Sequence, residues 1–245
     1  MPTETRTETD EIAEGIYRFS TAVALPDGTM FGFNQFLVDA EEPLLFHCGM
    51  RGLFPDVSAA LAGVMAPERV RWISFGHVEA DECASMNQWL AASPLATVVH
   101  GQVGCMVSIE DMADRPPRAL ADREVLDLGG RRIQLLATPH VPHNWEAIML
   151  YESETRTLFS GDLGSNGHRQ AITGDDIAEA AIEGERHFPG VSSLSPTTGP
   201  TIRAVAELRP ATVAVMHGAS FGGDGGALLE RMADGYDALH DEARS

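Results

Sequence analysis

The sequence predicts an α+β fold in which two mixed β-sheets pack face to face, with helices on their outer sides. Two observations indicate this arrangement. Strand-like runs and amphipathic helical runs occur in both halves of the chain, in the order strands, strand–helix alternation, strands, helix–strand–helix. The chain has 245 residues, of which 44% are hydrophobic, so it can bury a sizeable core.

The first half opens with strand-like runs that are separated by the turn signals PDG and EEP. Strands and helices then alternate. The helix that starts at Phe54 has a proline in its first turn, where the missing backbone N–H is not needed. The predicted strands of this half are 14–23, 30–40, 43–49, 69–76 and 95–101, and the predicted helices are 54–65 and 81–93.

The second half has four strand-like runs joined by tight turns, followed by helices on either side of one apolar strand. The predicted strands are 124–130, 132–138, 146–153, 156–162 and 211–218, and the predicted helices are 174–188, 201–208 and 226–243. Residues 1–10 are polar and acidic, which predicts a flexible tail and not a signal peptide. Residues 11–245 are predicted to form a single domain.

Charge and cysteine content exclude several classes of function. The formal net charge of −19 repels phosphate groups, so nucleic acids and anionic membranes are not expected as partners. The 3 cysteines form no CxxC pair, which argues against a disulfide framework or a cysteine-ligated zinc site. No apolar run approaches the roughly 20 residues that span a bilayer. A reduced, cytoplasmic setting is therefore expected.

Histidines and carboxylates recur at the ends of predicted strands, where they could converge on metal ions. The segment SFGHVEADE contains His77, Glu79 and Asp81 between a strand and a helix. Residues two apart in an extended segment face the same way, so His77 and Glu79 can hold one ion. Asp81, at the bend into the helix, can reach a second ion.

Three further segments supply donors of the same kind. TPHVPHNWEA contains His140 and His143, LFSGDLGS ends an apolar strand at Asp162, and VAVMHGAS ends another at His217. In the last two segments a glycine stands next to the donor and allows the chain to turn away from a bound ion.

Each donor also has an ordinary structural interpretation. Asp81 could cap the following helix, with Glu82 as an acid in its first turn. Asp162 is a common turn residue, and a lone histidine before glycine, such as His217, is usually structural or exposed. Taken together, the four segments favour a metal site over four separate structural roles, because each places a suitable donor at the same kind of strand end.

The motif His77-x-Glu79-x-Asp81, followed by His143, Asp162 and His217, resembles the metallo-β-lactamase superfamily in its flavodiiron, or oxygen-binding diiron, branch. Glutamate at the third motif position marks this branch, and the 18 residues between His143 and Asp162 match its spacing. The spacing favours His143 over His140. The resemblance covers nearly the whole chain and implies a four-layer αββα sandwich.

The resemblance also implies a role for each residue at two irons, with zinc or manganese as the alternative metals. The expected ligands are His77, Glu79 and His143 for the first iron, Asp81 and His217 for the second, and Asp162 as the bridge between them.

Two residues depart from the family pattern. Glu82 stands where the family usually has a histidine ligand of the second iron. We take Glu82 as the candidate catalytic carboxylate, with three roles open: a ligand, an acceptor of a hydrogen bond from bound water, or a side chain that points away. His47 stands where lactamase folds usually have an aspartate, and it is either a hydrogen-bonding replacement or a core histidine.

Flavodiiron proteins continue into a flavodoxin domain that supplies electrons from FMN. No phosphate loop of that type follows in this sequence, so no flavin is expected in this chain. Electrons are then expected from a separate donor. The oligomeric state stays open between a monomer and a homodimer.

The leading functional hypothesis is a non-haem diiron oxidoreductase that binds and reduces O2 or a related small oxidant such as NO. The second is a diiron O2 sensor or carrier without turnover. The third is a dinuclear zinc or manganese hydrolase, against which Glu79 counts. Metal analysis of protein expressed in iron-replete medium separates the third hypothesis from the first two.

Overall fold

Two mixed β-sheets of seven strands each pack face to face in the computed structural model, which describes residues 6–25 and 28–244. The first sheet has its strands in chain order: β1 (Thr7–Ala13), β2 (Ile16–Ala24), β3 (Met30–Val38), β4 (Leu44–Phe46), β5 (Trp72–Ser74), β6 (Thr97–Gly101) and β7 (Arg118–Leu120). Strands β1 to β4 are antiparallel neighbours, and β4 to β7 are parallel neighbours.

The second sheet contains β8 (Val125–Asp127), β9 (Arg132–Ala137), β10 (Ile148–Glu152), β11 (Thr157–Gly161), β12 (Ile172–Thr173), β13 (Thr212–Val215) and β14 (Ser220–Gly222). Its spatial order is β12-β14-β13-β11-β10-β9-β8. Strands β11 and β13 run parallel, so their carboxyl ends lie at the same edge of the sheet.

Helices cover the outer faces of both sheets. They are α1 (Phe54–Ala62), α2 (Ala80–Cys83), α3 (Met86–Ala92), α4 (Gln102–Gly104), α5 (Glu110–Met112), α6 (Ala178–His187), α7 (Thr198–Ala206) and α8 (Gly225–Glu242). A 3₁₀ turn lies at Pro67–Arg69, and a π-helical turn at Cys105–Ile109 joins α4 to α5. Among the described residues, no helix has both the length and the apolar character needed to cross a membrane.

Three clusters of buried apolar side chains fill the spaces between the layers. One includes Val57 and Trp89 between the first sheet and its helices, and another includes Leu229 and Met232 between the second sheet and α6 to α8. The third fills the space between the sheets. The predicted four-layer αββα sandwich is therefore confirmed.

Aromatic rings hold the two sheets together at the centre of the sandwich. Phe159 is fully buried, with its ring centroid 5.6 Å from that of Phe36 and 5.3 Å from that of Phe46. We expect Phe159→Ala to lower the free energy of unfolding by about 3–5 kcal/mol, because the cavity cannot fully collapse. Denaturant unfolding measures the loss. Phe188→Ala, at a side chain that is 71% exposed, is the control and should change the value by about 0.5 kcal/mol or less. Equal losses in both variants would contradict this account of the core.

The predicted tail is wrong where the structure can be compared with it. Residues 7–10 lie in β1, whereas residues 1–5 lie outside the described part of the chain. Strand β1 is an edge strand of mostly polar residues. It therefore lacks the hydrophobic alternation from which a strand is predicted. Its partners are polar too: the Thr7 and Thr21 hydroxyls lie 2.8 Å apart, and Asp10 pairs with buried Arg18 at 3.2 Å.

The predicted helix 81–93 is divided into α2 and α3. Ser85, at the break, donates its hydroxyl to the Cys48 carbonyl at 2.6 Å and its backbone N–H to the Gly49 carbonyl at 3.0 Å. These partners lie 36 or more residues away in the sequence, so local periodicity could not indicate the break. The short strands β7, β12 and β14 were also not predicted.

Candidate metal centre

Four segments bring the predicted donors to one edge of the sandwich. Asp162 follows β11 directly, and His217 lies two residues beyond its parallel neighbour β13. His77 lies three residues after β5 of the other sheet. His143 belongs to the connection between β9 and β10. The donors therefore meet where the two sheets present their strand ends together.

The first group of donor atoms converges closely. His77 Nε2 lies 2.8 Å from Glu79 Oε2 and 2.9 Å from His143 Nε2, and the last two atoms are 3.2 Å apart. With Asp162, the donor atoms all lie within 4.8 Å of one another. Donors placed about 2.0–2.2 Å from one ion stand roughly 3.0–3.5 Å apart, so these separations fit a shared metal ion.

The second group lies on the other side of Asp162. His217 Nε2 is 3.3 Å from Asp81 Oδ2 and 3.3 Å from Asp162 Oδ1. The other oxygen, Asp162 Oδ2, lies 3.4 Å from His143 Nε2 and 3.8 Å from His77 Nε2. One carboxylate thus presents each of its oxygens to a different group of donors. Asp162 Oδ1 has no hydrogen-bond partner among the described residues, which is consistent with a metal-binding role.

The structure separates the two histidines of the PHVPH segment. His143 points its Nε2 into the first group, whereas His140 is exposed. The backbone N–H of His140 donates to the Asn144 carbonyl at 2.8 Å, which closes the loop that presents His143. The structure thus brings His143, and not His140, into the group of donors.

The electrostatics of the centre favour positive charge. Burial lowers the pKa of His77, but the nearby carboxylates of Glu82 and Glu79 outweigh burial and raise it to about 11. Burial likewise lowers the pKa of His217, but Asp162 and Asp81 raise it to about 10. Hydrogen bonds from His143 and His77 hold the pKa of Glu79 below its usual range. The field that retains protons on these rings also attracts metal cations.

Glu82, predicted as the catalytic carboxylate, lies behind His77 and is completely buried. Its Oε2 accepts a hydrogen bond from the His77 backbone N–H at 2.7 Å, and its Oε1 lies 3.3 Å from His77 Nδ1. The other donors contact the opposite ring nitrogen, Nε2. Of the three roles left open for Glu82, this position matches a side chain that points away from the ligand cluster.

Glu82 also contacts His47, and both side chains are fully buried, with His47 Nε2 3.3 Å from Glu82 Oε1. Burial raises the pKa of Glu82, but the charges of His47 and His77 outweigh burial and hold it well below its usual range. His47 is therefore not simply a core histidine, because it contacts the carboxylate behind His77.

Several residues that orient the candidate ligands are not predicted by the sequence. The Gly32 carbonyl accepts a hydrogen bond from His217 Nδ1 at 2.8 Å, and the Phe31 ring packs on His217 with centroids 4.4 Å apart. Buried Glu146 accepts from the Val78 N–H at 3.0 Å and so holds the loop after His77. An acid close to His143 in the NWEA segment is a local sequence signal for Glu146. Gly32 and Phe31 lie in β3, far from His217 in the sequence, so no local pattern indicates their contacts with it.

Fold and site together define a metallo-β-lactamase-type domain with a His/carboxylate cluster at the edge where its two sheets meet. Residues 31–218 match the family described as ODP family beta lactamase, and the chain belongs to that family. The matched range includes all six candidate ligands.

Known proteins resemble the chain at low identity. A diflavin flavoprotein A 1 from Synechocystis sp. PCC 6803 is 25% identical over 247 residues, which cover 92% of this chain and 41% of that protein. A rubredoxin-oxygen oxidoreductase from Megalodesulfovibrio gigas is 22% identical over 192 residues, which cover 77% of this chain and 47% of that protein. The chain spans between 25% and 47% of the length of the curated relatives that it matches.

Solved structures share the fold. The metal-soaked Flv1 flavodiiron core from Synechocystis sp. PCC 6803 superposes with a TM-score of 0.79 at 17% identity. The match covers 99% of this chain and 63% of that chain. The sandwich is thus the fold of flavodiiron cores.

Proposed function

We propose that this chain is a non-haem diiron protein that binds and reduces O2, or a related small oxidant such as NO. The observation that carries the proposal is the position of Asp162, whose two carboxylate oxygens face two separate groups of His and carboxylate donors. A carboxylate in this position can bridge two ions. The names of the relatives, which are flavoproteins and an oxygen oxidoreductase, support an oxidoreductase of this class.

The donor set suits iron. The first iron would be held by His77, Glu79 and His143, the second by Asp81 and His217, and both by Asp162. Three neutral imidazoles and three carboxylates carry a charge of about −3, which balances two divalent or trivalent ions better than one, and imidazole and carboxylate are ligands that iron accepts. When bound, such a pair supplies two electrons and neighbouring open coordination positions for a small oxidant.

The surroundings of the donors suit a small apolar oxidant. The Glu79 side chain is 53% exposed, so the first group is open to solvent on one side. On the other side, the Phe31 and Phe33 rings pack against His217 with centroids 4.4 and 5.3 Å away. An uncharged diatomic molecule has little hydration to lose beside these apolar rings.

Electron balance requires a reducing partner. Two ferrous ions provide two electrons, whereas the conversion of O2 to two water molecules consumes four electrons and four protons. Reduction of two NO molecules to N2O and water consumes two electrons, so it also needs re-reduction between turnovers. An external donor is therefore part of the proposal, and rubredoxin is the first candidate because a relative is named as a rubredoxin-oxygen oxidoreductase.

Rapid mixing of the ferrous protein with O2 tests this function. We expect one oxidation phase that consumes the two stored electrons and then stops, because the two ions hold no more. Addition of reduced rubredoxin, or of another low-potential donor, should restart O2 consumption. Stopped-flow absorbance and an oxygen electrode measure the two stages.

The alternatives give different results in the same experiment. A bound O2 species that persists and releases O2 under vacuum would support the sensor or carrier instead. Absence of any reaction between O2 and the iron-loaded protein would contradict both diiron functions.

A further inference from the structure

We propose that Glu82 and His47 form a buried acid–imidazole pair that positions His77 for the first metal ion. This inference rests on the proposed function, because His77 is one of the proposed ligands. It assigns to Glu82 a positioning role behind the ligand in place of a role at the reacting atoms.

Contacts with His77 show how Glu82 can set the orientation of the ring. Glu82 Oε2 accepts from the His77 backbone N–H at 2.7 Å, and Oε1 lies 3.3 Å from ring atom Nδ1. The carboxylate therefore touches both ends of one residue and leaves Nε2 facing the other ligands. Histidines that bind metals commonly present their second nitrogen to a carboxylate in this way, which fixes the tautomer and the ring orientation.

His47 supplies a polar neighbour for the buried carboxylate. Both side chains are completely buried, and His47 Nε2 lies 3.3 Å from Glu82 Oε1. The other ring nitrogen, Nδ1, donates to the Asn34 carbonyl at 3.2 Å, and the His47 backbone N–H donates to the Ser74 carbonyl at 2.8 Å. The imidazole is therefore held in place from the first sheet. An unpaired carboxylate at this depth would be strongly unfavourable.

Two glycines leave the space that the carboxylate occupies. A Cβ atom at Gly76 would come within 3.0 Å of Glu82 Oε2, and one at Gly161 would come within 3.3 Å of Glu82 Oε1. Gly161 also has a φ of +57°, a conformation that side chains disfavour. The backbone on both sides is thus shaped around Glu82.

The pair explains both departures of the sequence from the pattern that it resembles. That pattern has an acid at position 47 and a histidine at position 82, whereas this chain has His47 and Glu82. In this chain the two side chains face each other, with His47 Nε2 3.3 Å from Glu82 Oε1, so the acid and the imidazole stand at each other's positions relative to that pattern. A mutational exchange can test this interpretation directly.

The experiment compares anaerobic Co²⁺ affinity of the wild type with that of Glu82→Gln, His47→Gln, Glu82→His and the exchanged double variant His47→Asp/Glu82→His. Competition with a chelator resolves the two binding steps. We expect Glu82→Gln to weaken the ion held by His77 by about 10–100-fold and to leave the ion held by Asp81 and His217 nearly unchanged. The double variant should recover about tenfold or more of the affinity that Glu82→His loses.

The matched control is Glu152→Gln, the same substitution at another completely buried carboxylate, which pairs with Arg131 at 3.4 Å in the second sheet. It should leave both affinities at the wild-type values. A second readout is the paramagnetically shifted NMR signal of the His77 Nδ1 proton in the Co²⁺ protein. This signal should move in Glu82→Gln and stay in place in Glu152→Gln.

The proposed pair would be contradicted if Glu82→Gln bound both Co²⁺ ions as tightly as the wild type. It would also be contradicted if the double variant bound Co²⁺ no more tightly than Glu82→His. If Glu82→Gln does not fold, His47→Gln tests the same pair, because it retains Glu82 and removes only the imidazole that faces it. The Co²⁺ affinities are independent of iron and of O2. If the protein does not react with O2, the Co²⁺ affinities still test the pair. A failure of the proposed function can therefore be distinguished from a failure of this inference.

Discussion

Replacing Asp162 by alanine is expected to remove both metal ions from the protein. Its Oδ2 lies 3.4 Å from His143 Nε2, and its Oδ1 lies 3.3 Å from His217 Nε2. One substitution therefore takes a donor from each group. Substitution of a residue that contacts a metal ligand typically weakens metal binding by about 10–100-fold. Loss of a ligand that both ions share should weaken the binding of each ion by more than that.

Metal analysis after gel filtration measures the effect. We expect the content to fall from about two ions per chain to nearly none in Asp162→Ala. Asp81→Ala, which removes a donor from the second group alone, should retain about one ion. Asp111→Ala, at an exposed position away from the site, is the control and should retain both. Retention of one tightly bound ion in Asp162→Ala would show that the carboxylate does not bridge.

The second large effect is expected at the PHVPH segment, where two histidines were candidates. His143→Ala should remove the ion of the first group and lower the metal content to about one per chain, because Nε2 of this ring lies 2.9 Å from His77 Nε2. His140→Ala should leave about two ions, because that side chain is exposed. The two variants carry the same substitution three residues apart, so each controls for the other. The reverse result, with metal lost only in His140→Ala, would contradict the assignment of ligands.

The clustering of the candidate donors could be predicted because their signals are local. Asp162 and His217 each follow an apolar strand and stand beside a glycine, and His77 and Glu79 alternate along one short segment. Each signal is weak alone, but all four segments end at the same edge of the sandwich. The layered fold was predictable for a similar reason, since most strands and long helices carry their own hydrophobic pattern.

The remaining features depend on contacts between distant residues. Glu82 lies beside the predicted ligands in the sequence, yet its direction is set by His47 and by the space at Gly161, which come from other strands. Strand β1 is polar and is held by its pairing with β2, so the sequence alone predicts a tail over residues 7–10. Nothing in the local sequence around His217 indicates that the Gly32 carbonyl orients its ring.

Anomalous X-ray diffraction tests the central claim most directly. Crystals of protein expressed in iron-replete medium would be measured on both sides of the iron and zinc absorption edges. We expect two iron peaks per chain, about 3.5–4 Å apart, one near each oxygen of Asp162. One peak should lie beside His77 and His143, and the other beside His217. Zinc at both positions, or a single peak, would contradict the diiron assignment.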